Sequence, residues 1–320
     1  MSPIRRVPYM ITVTWNEASL THAIDQFVKQ VCFYPISQQE FLLGLNTLYH
    51  AFKPIYQPHL IYAKSIECFI QCMYWIEYFV DVSKPFSVEQ LDEQQISILQ
   101  ICLGQYRQYH FYEQQYQANL EMSNRESLAQ YLQQLLHHYS QLLFVRVDLS
   151  YAMEYRHLIN IKQVKSDLGV LLNRIANKDT CFYGLQGYAW ALEQGAEKGY
   201  HCHLLLIYEP SKRQNDWYLA DQVGQLWKEI TQQQGIFYSC NTSEIKAHYE
   251  KLGRLGIGRI HRNNIDEVFN AFNVAMYLVN PEKSEQWLLA KVPFMRTFGI
   301  GQFDVAWRRG VANTMQQLQC

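Results

Sequence analysis

The segment Leu142-Leu-Phe-Val-Arg-Val-Asp-Leu149 alternates along its length. Leu143, Val145, Val147 and Leu149 fall on one side of an extended chain, and Phe144, Arg146 and Asp148 fall on the other. This pattern predicts a half-buried strand. A helix is expected over residues 160–177, then two short strands over 184–194 and 200–208 joined by the polar, glycine-bearing Gln194-Gly-Ala-Glu-Lys-Gly199. Residues 216–233 read as a helix ending at Gly235, and the glycine-spaced stretch 253–261 as a turn and a strand. A last helix over 264–280 is stopped by Pro281. In that helix Ile265, Phe269, Phe272, Met276 and Val279 form an apolar stripe at helical spacing. Tyr277 lies off the stripe, in a row with Asp266, Asn270, Asn273 and Asn280.

Upstream of this region the chain reads as helical. Ser37-Gln-Gln-Glu40, Ser87-Val-Glu-Gln90 and Ser123-Asn-Arg-Glu126 each fit the capping box that opens a helix. Gly104 is the only glycine between Gly44 and Gly169, so helices there meet few breakers, and Pro54, Pro58 and Pro85 punctuate the connections. The expected organisation is a helical N-terminal region, 1–138, with no assignable role, followed by a second region, 139–320. The fold class is α+β: the second region forms an antiparallel sheet flanked by helices.

Composition narrows the partners. Hydrophobic residues make up 48% and charged residues 18% of the 320, which supports a real core and excludes wholesale disorder. The net charge of −1 hides an asymmetry: residues 1–138 hold 8 basic and 12 acidic side chains, and residues 139–320 hold 20 and 17. Backbone phosphates would prefer the second region, where Arg254, Arg259, Arg262, Arg296, Arg308 and Arg309 follow Lys251. The acidic first region favours a protein partner. Eight cysteines include no CxxC pair, and Cys68 and Cys72, one turn apart in an apolar stretch, read as core. The most apolar run, 61–80, contains Lys64, Glu67 and Glu77, which argues against a membrane span. Free thiols and an N-terminus without an apolar leader lead to the expectation of a cytoplasmic protein.

The sharpest chemical feature is His201-Cys-His203. Residues two apart on a strand share a face, so both imidazoles project together, as suits capture of a divalent metal. If Glu193 pairs near His201 across the loop, its carboxylate falls on that face too. Two histidines and one carboxylate would leave coordination positions open for water and substrate. Against this stands the ordinary reading of an HxH pair as surface or hydrogen-bonded core histidines, and Glu197 in the turn competes as a ligand. Tyr277 offers an accessible hydroxyl, but with 22 other tyrosines in the chain an ordinary amphipathic tyrosine is the stronger reading on spacing alone.

Gly187-Tyr-Ala-Trp-Ala-Leu-Glu193, Lys198-Gly-Tyr-His-Cys-His-Leu-Leu-Leu206 and Ala275-Met-Tyr-Leu-Val279 together resemble the replication initiators of filamentous phages (inoviruses) and related prophages, within the HUH endonuclease superfamily. The resemblance covers about residues 140–305, including Arg296-Thr-Phe-Gly299. It implies that His201, His203 and Glu193 bind Mg²⁺ or Mn²⁺, that Tyr277 is the nucleophile, and that 142–149 is the first strand of that fold. Cys202 would point away from the metal into the core. Many members carry a lysine three residues after the tyrosine; here that position is Asn280, with Lys283 the nearest substitute. The position four before Tyr277 is Asn273, which implies a single-tyrosine reaction.

The resemblance therefore implies a rolling-circle replication initiator that nicks single-stranded or stem-loop origin DNA, with a host helicase or polymerase as further partners. Arg254, Arg259, His261, Arg262, Lys283 and Trp307 are candidates for a DNA groove. Two other readings stay open: a metal-dependent hydrolase using activated water, and a catalytically inactive DNA-binding relative.

Overall fold

The computed structural model describes residues 15–80, 85–279 and 286–303. Its N-terminal part is built from α1 (Glu17–Phe33), α2 (Gln38–Phe52), a two-residue strand β1 (Ile61–Tyr62), α3 (Lys64–Phe79), α4 (Glu93–Gly104) and α5 (Tyr106–His138). Asn16, Ser37 and Asp92 open α1, α2 and α4, each through a reciprocal capping box that satisfies backbone donors lacking helical acceptors. The box at Ser87 closes around a three-residue 3₁₀ turn only. The box expected at Ser123 opens nothing, because Ser123 lies inside α5. No glycine or proline interrupts residues 105–138, so the helix is already propagating there and its N–H groups have acceptors.

The second part runs β2 (Gln141–Tyr151), α6 (Ile161–Asn177), β3 (Leu185–Gly195), β4 (Gly199–Tyr208), α7 (Asp216–Ile230), β5 (Gly235–Ser239), α8 (Ser243–Lys251), β6 (Gly258–His261), α9 (Ile265–Met276), β7 (Ala290–Lys291) and β8 (Phe298–Ile300). The fold is α+β. Among the described residues, six antiparallel strands form the main sheet in the order β5-β2-β4-β3-β8, with β6 also on β2; β1 and β7 pair separately. Strand β5 and helix α8 have no counterpart in the pattern reading. A five-residue strand holds too little alternation to stand out, and β5 is defined by its ladder to β2.

Strand β2 is buried on both faces along much of its length rather than half-buried. Leu143, Val145, Val147 and Leu149 join a core with Val164, Leu168 and Leu171 of α6 and Val223 and Trp227 of α7. That core is continuous with the buried residues of α1 to α4. On the opposite face Leu142 and Phe144 pack with Ala189, Leu205 and Ile207 beneath Leu128, Leu132 and Leu135 of α5 and Ala271 and Ala275 of α9. The central strand β4 is consequently buried from end to end, which accounts for its unbroken Leu204–Ile207 run. Among the described residues, no helix is long and apolar enough to cross a membrane.

Helix α9 corrects one expectation. Ile265 and Phe269, the first members of its apolar stripe, are 82% and 64% exposed, whereas Asn270, Ala271 and Ala275 are buried. The approach of Gly256 against the helix backbone at Asn270 demands small groups on that side, and Asn270 donates its side-chain amide to the Gly253 carbonyl at 3.0 Å. Close packing of backbone, not hydrophobicity, sets which face turns in.

Glu17 ties the two regions together. Its Oε1 accepts the Ile161 N–H at the start of α6 (2.6 Å) and the Tyr200 hydroxyl of β4 (2.8 Å). Burial pushes its pKa up, against the pull of those two bonds and of Lys162. A raised folded-state pKa means the folded chain holds this proton more tightly than the unfolded chain, so stability is lost as pH rises through the folded value. Glu17→Gln keeps the acceptor and removes the charge. The variant is expected to be the more stable at pH 7, with its advantage vanishing below about pH 4. Urea midpoints at both pH values check this, and an advantage of the same size at both would sink it.

Candidate metal centre

The face of the sheet that lies beneath α5 and α9 changes character along the strands. On β2, Leu142 and Phe144 give way to Arg146 and Asp148; on β4, Ile207 and Leu205 to His203 and His201; on β3, Ala189 and Ala191 to Glu193. Strand periodicity keeps all of these on one face, and the ladders bring the polar set together. Glu193 sits directly opposite His201, and Asp148 directly opposite His203. The hairpin turn that sets this register closes through Gly199 at φ +68, a left-handed conformation that glycine adopts without a Cβ penalty.

Glu193, His201 and His203 each present a ligand atom, and these lie within 4.8 Å of one another, all three residues buried. Glu193 Oε2 is 3.4 Å from His201 Nε2 and 3.3 Å from His203 Nε2. Neighbouring ligands bound at about 2.1 Å around one octahedral ion would themselves be about 3 Å apart, so this set fits a small divalent cation. The two Nδ1 atoms point away from the shared carboxylate. His201 Nδ1–H donates to the Gly199 carbonyl at 3.0 Å, and His203 Nδ1–H to Asp148 Oδ1 at 2.7 Å. These bonds turn both Nε2 lone pairs toward Glu193, the outer arrangement that metal-binding histidines require.

Asp148 joins the candidate site through its bond to His203, and the sequence pattern does not point to it, since a strand carboxylate carries no spacing signal for its cross-strand neighbour. Burial opposes its charge, but its hydrogen bond to His203 and the charges of His203 and Arg146 hold its pKa below the usual carboxylate range. Burial likewise opposes the charge on His203, yet the Asp148 and Glu193 carboxylates outweigh it and keep that pKa above the usual imidazole value. Asp148→Ala is expected to weaken Mn²⁺ binding about tenfold to a hundredfold with the fold intact. Calorimetric titration measures it, and an unchanged affinity would mean that the ring is oriented without Asp148.

Tyr277 ends α9 and begins a 3₁₀ turn, Tyr277–Val279, whose Leu278 and Val279 are buried. Its ring centroid is 5.9 Å from that of His203, edge to face, and its side chain is 46% exposed at the mouth of the site. Arg146 stacks over the same ring, with Cζ 4.6 Å from the centroid. The Arg146 side chain is only 11% exposed, and its Nε lies 3.5 Å from Asp148 Oδ1. Its backbone is fixed as well. Asn241 fills the gap between β5 and β6 on the edge of β2, accepting the Arg146 N–H and donating to the Phe144 carbonyl. Arg146, also overlooked at the pattern level, therefore links the tyrosine to the carboxylate that orients His203.

The remaining candidates lie elsewhere. Cys202 is buried in the core on the opposite face of the sheet. Glu197 is exposed in the turn, where its carbonyl accepts from Arg156. Arg259 and His261 pair opposite Leu143 and Gln141, so they belong to the face of the sheet turned away from Glu193, His201 and His203. His261 is bound to Glu267 at 2.9 Å and Arg262 donates to the His137 carbonyl. Arg254 is exposed beyond α8. Lys283, Asn280, Arg308, Arg309 and Trp307 lie outside the described residues.

Comparison with known proteins adds a family. No curated protein and no solved structure matches the chain significantly. A family model described as the YagK/YfjJ C-terminal domain matches residues 104–274, a span that contains Arg146, Asp148, Glu193, His201 and His203 and stops just short of Tyr277. With more than half of its length matched, the chain belongs to the YagK/YfjJ C-terminal domain family.

Proposed function

We propose that this protein is a divalent-metal-dependent, tyrosine-nucleophile DNA endonuclease and strand transferase, acting on single-stranded origin DNA in the manner of the HUH initiators of inoviruses and related prophages. The single observation that carries the reading is the exposed Tyr277 ring standing edge-on to His203 at the mouth of a buried His-His-Glu set. Glu193, His201 and His203 would hold Mg²⁺ or Mn²⁺. When bound, such an ion polarises a phosphodiester and stabilises the negative charge developing on it.

The chain's own groups account for the remainder. Tyr277 Oη attacks the scissile phosphorus and loses its proton to solvent. The bond from phosphorus to the 3′ oxygen breaks, a 5′-phosphotyrosine forms, and the departing oxygen takes up a proton as a free 3′-hydroxyl. Arg146 holds the ring from one side and carries a positive charge beside the point of attack. Reversal of the step joins strands.

The test is incubation of labelled single-stranded stem-loops with the full chain and Mn²⁺, followed by a denaturing protein gel. A labelled protein band that disappears with His201→Ala supports the proposal. Cleaved DNA without an adduct would transfer the site to water-activating hydrolysis. DNA binding with neither cleavage nor Mn²⁺ affinity would mark an inactive relative.

A further inference from the structure

A cleft of about 80 Å³ opens beside Glu193, between α5, the turn that follows α9 and the segment carrying Lys291 and Phe298. The helix wall of this cleft is unusual in its chemistry. The inward stripe of α5 is apolar where it covers the sheet, at Leu128, Leu132 and Leu135. Over the three turns before Leu128, where the helix passes Glu193, the same stripe becomes Gln117, Glu121 and Asn124, all lining the cleft. Their spacing of four and three keeps them on one face. Glu121 is engaged by the Trp287 indole N–H at 2.8 Å, which fixes that ring in the wall. Leu278 and Phe298 supply apolar surface opposite.

Lys291 adds a half-buried cation to the lining. Burial lowers its pKa, with Glu113 pulling the other way. A buried ammonium is unfavourable unless an anion meets it. Apolar walls, the amides of Gln117, Asn124 and Gln286 and the Lys291 ammonium match the base face, base edge and phosphate of a nucleotide; of the two carboxylates in the lining, Glu121 is held by Trp287 and Glu193 belongs to the candidate metal set.

We infer that the cleft seats the nucleotide adjoining the scissile phosphate, with Gln117 and Asn124 reading its base edge and Lys291 receiving its outer phosphate. The inference rests on the proposed DNA reaction and assigns that site a base-specific position.

The experiment uses the full chain carrying Tyr277→Phe, a randomised single-stranded DNA pool and Mn²⁺, with bound molecules sequenced. One position is expected to show a strong base preference. In Gln117→Ala/Asn124→Ala that preference falls about tenfold while preferences elsewhere persist. Lys291→Met weakens binding of all sequences alike, as loss of a phosphate contact does. Mn²⁺ affinity is unchanged in both variants, which verifies the fold. A preference profile unaltered by the double substitution overturns the inference, as does a pool with no enriched sequence. The reaction itself is judged separately: if the selected sequences bind but the unsubstituted chain forms no adduct with them, the nicking proposal falls and the nucleotide cleft stands.

Discussion

Phenylalanine in place of Tyr277 is expected to abolish the protein–DNA adduct, a loss of about 10⁴-fold or more, because the nucleophilic oxygen is removed outright. The substitution keeps the ring, so the contacts with Arg146 and His203 remain and the fold is undisturbed. Mn²⁺ affinity should therefore stay at its original value. His203→Ala gives the opposite split. It deletes one of the three candidate ligand atoms and the imidazole that Asp148 accepts from, so Mn²⁺ affinity and adduct formation fall together. Measuring both quantities on both variants separates the nucleophile from the metal-holding groups. Full cleavage by Tyr277→Phe would remove the tyrosine from the chemistry.

Gly256→Ala is expected to be the most damaging small substitution, destabilising the fold by about 3 kcal/mol. A Cβ at this position would stand 2.1 Å from the Asn270 carbonyl oxygen and 2.3 Å from its carbon. These are backbone atoms of α9, hydrogen-bonded in the helix, so they cannot swing aside as a long side chain would. The strain must move the whole helix. Because Tyr277 terminates that helix, adduct formation should fall even under conditions where the variant remains folded. Gly169→Ala is the matched control: it lies in α6 with nothing within 4 Å of the added atom, and it should be neutral or stabilising by up to about 1 kcal/mol. Denaturant midpoints decide both, and equal midpoints for Gly256→Ala and the unsubstituted chain would refute the packing argument.

The candidate ligand set was legible in the sequence on one condition, that Glu193 pairs near His201, because strand parity then puts all three side chains on one face. His201 and His203 are two apart, and Glu193 lies eight before His201 across a short turn; local geometry then settles which way each points. The observed register, with Glu193 opposite His201, follows from a hairpin closed at Gly195 and Gly199. The basic residues were less informative. Arg259 and His261 share the parity of Leu143 and so turn away from the ligands, but that parity becomes meaningful only once β6 is known to pair with β2.

What the sequence determined by itself is what neighbours along the chain can impose: the helical start, the α+β class, the hairpin and the clustering of two imidazoles with a carboxylate. Each rests on propensity, capping or a period of two or 3.6 residues. Tertiary structure alone decided that Asp148 orients His203, that Arg146 stacks on Tyr277, and that α9 buries Ala271 rather than Phe269. These depend on which segments, from 14 to well over 100 residues apart, come into contact. No periodicity encodes such contacts: they are set by the pairing of strands and by how closely backbones can approach. The chemistry of the site was partly written in one hairpin; its precision comes from strands and helices that meet only on folding.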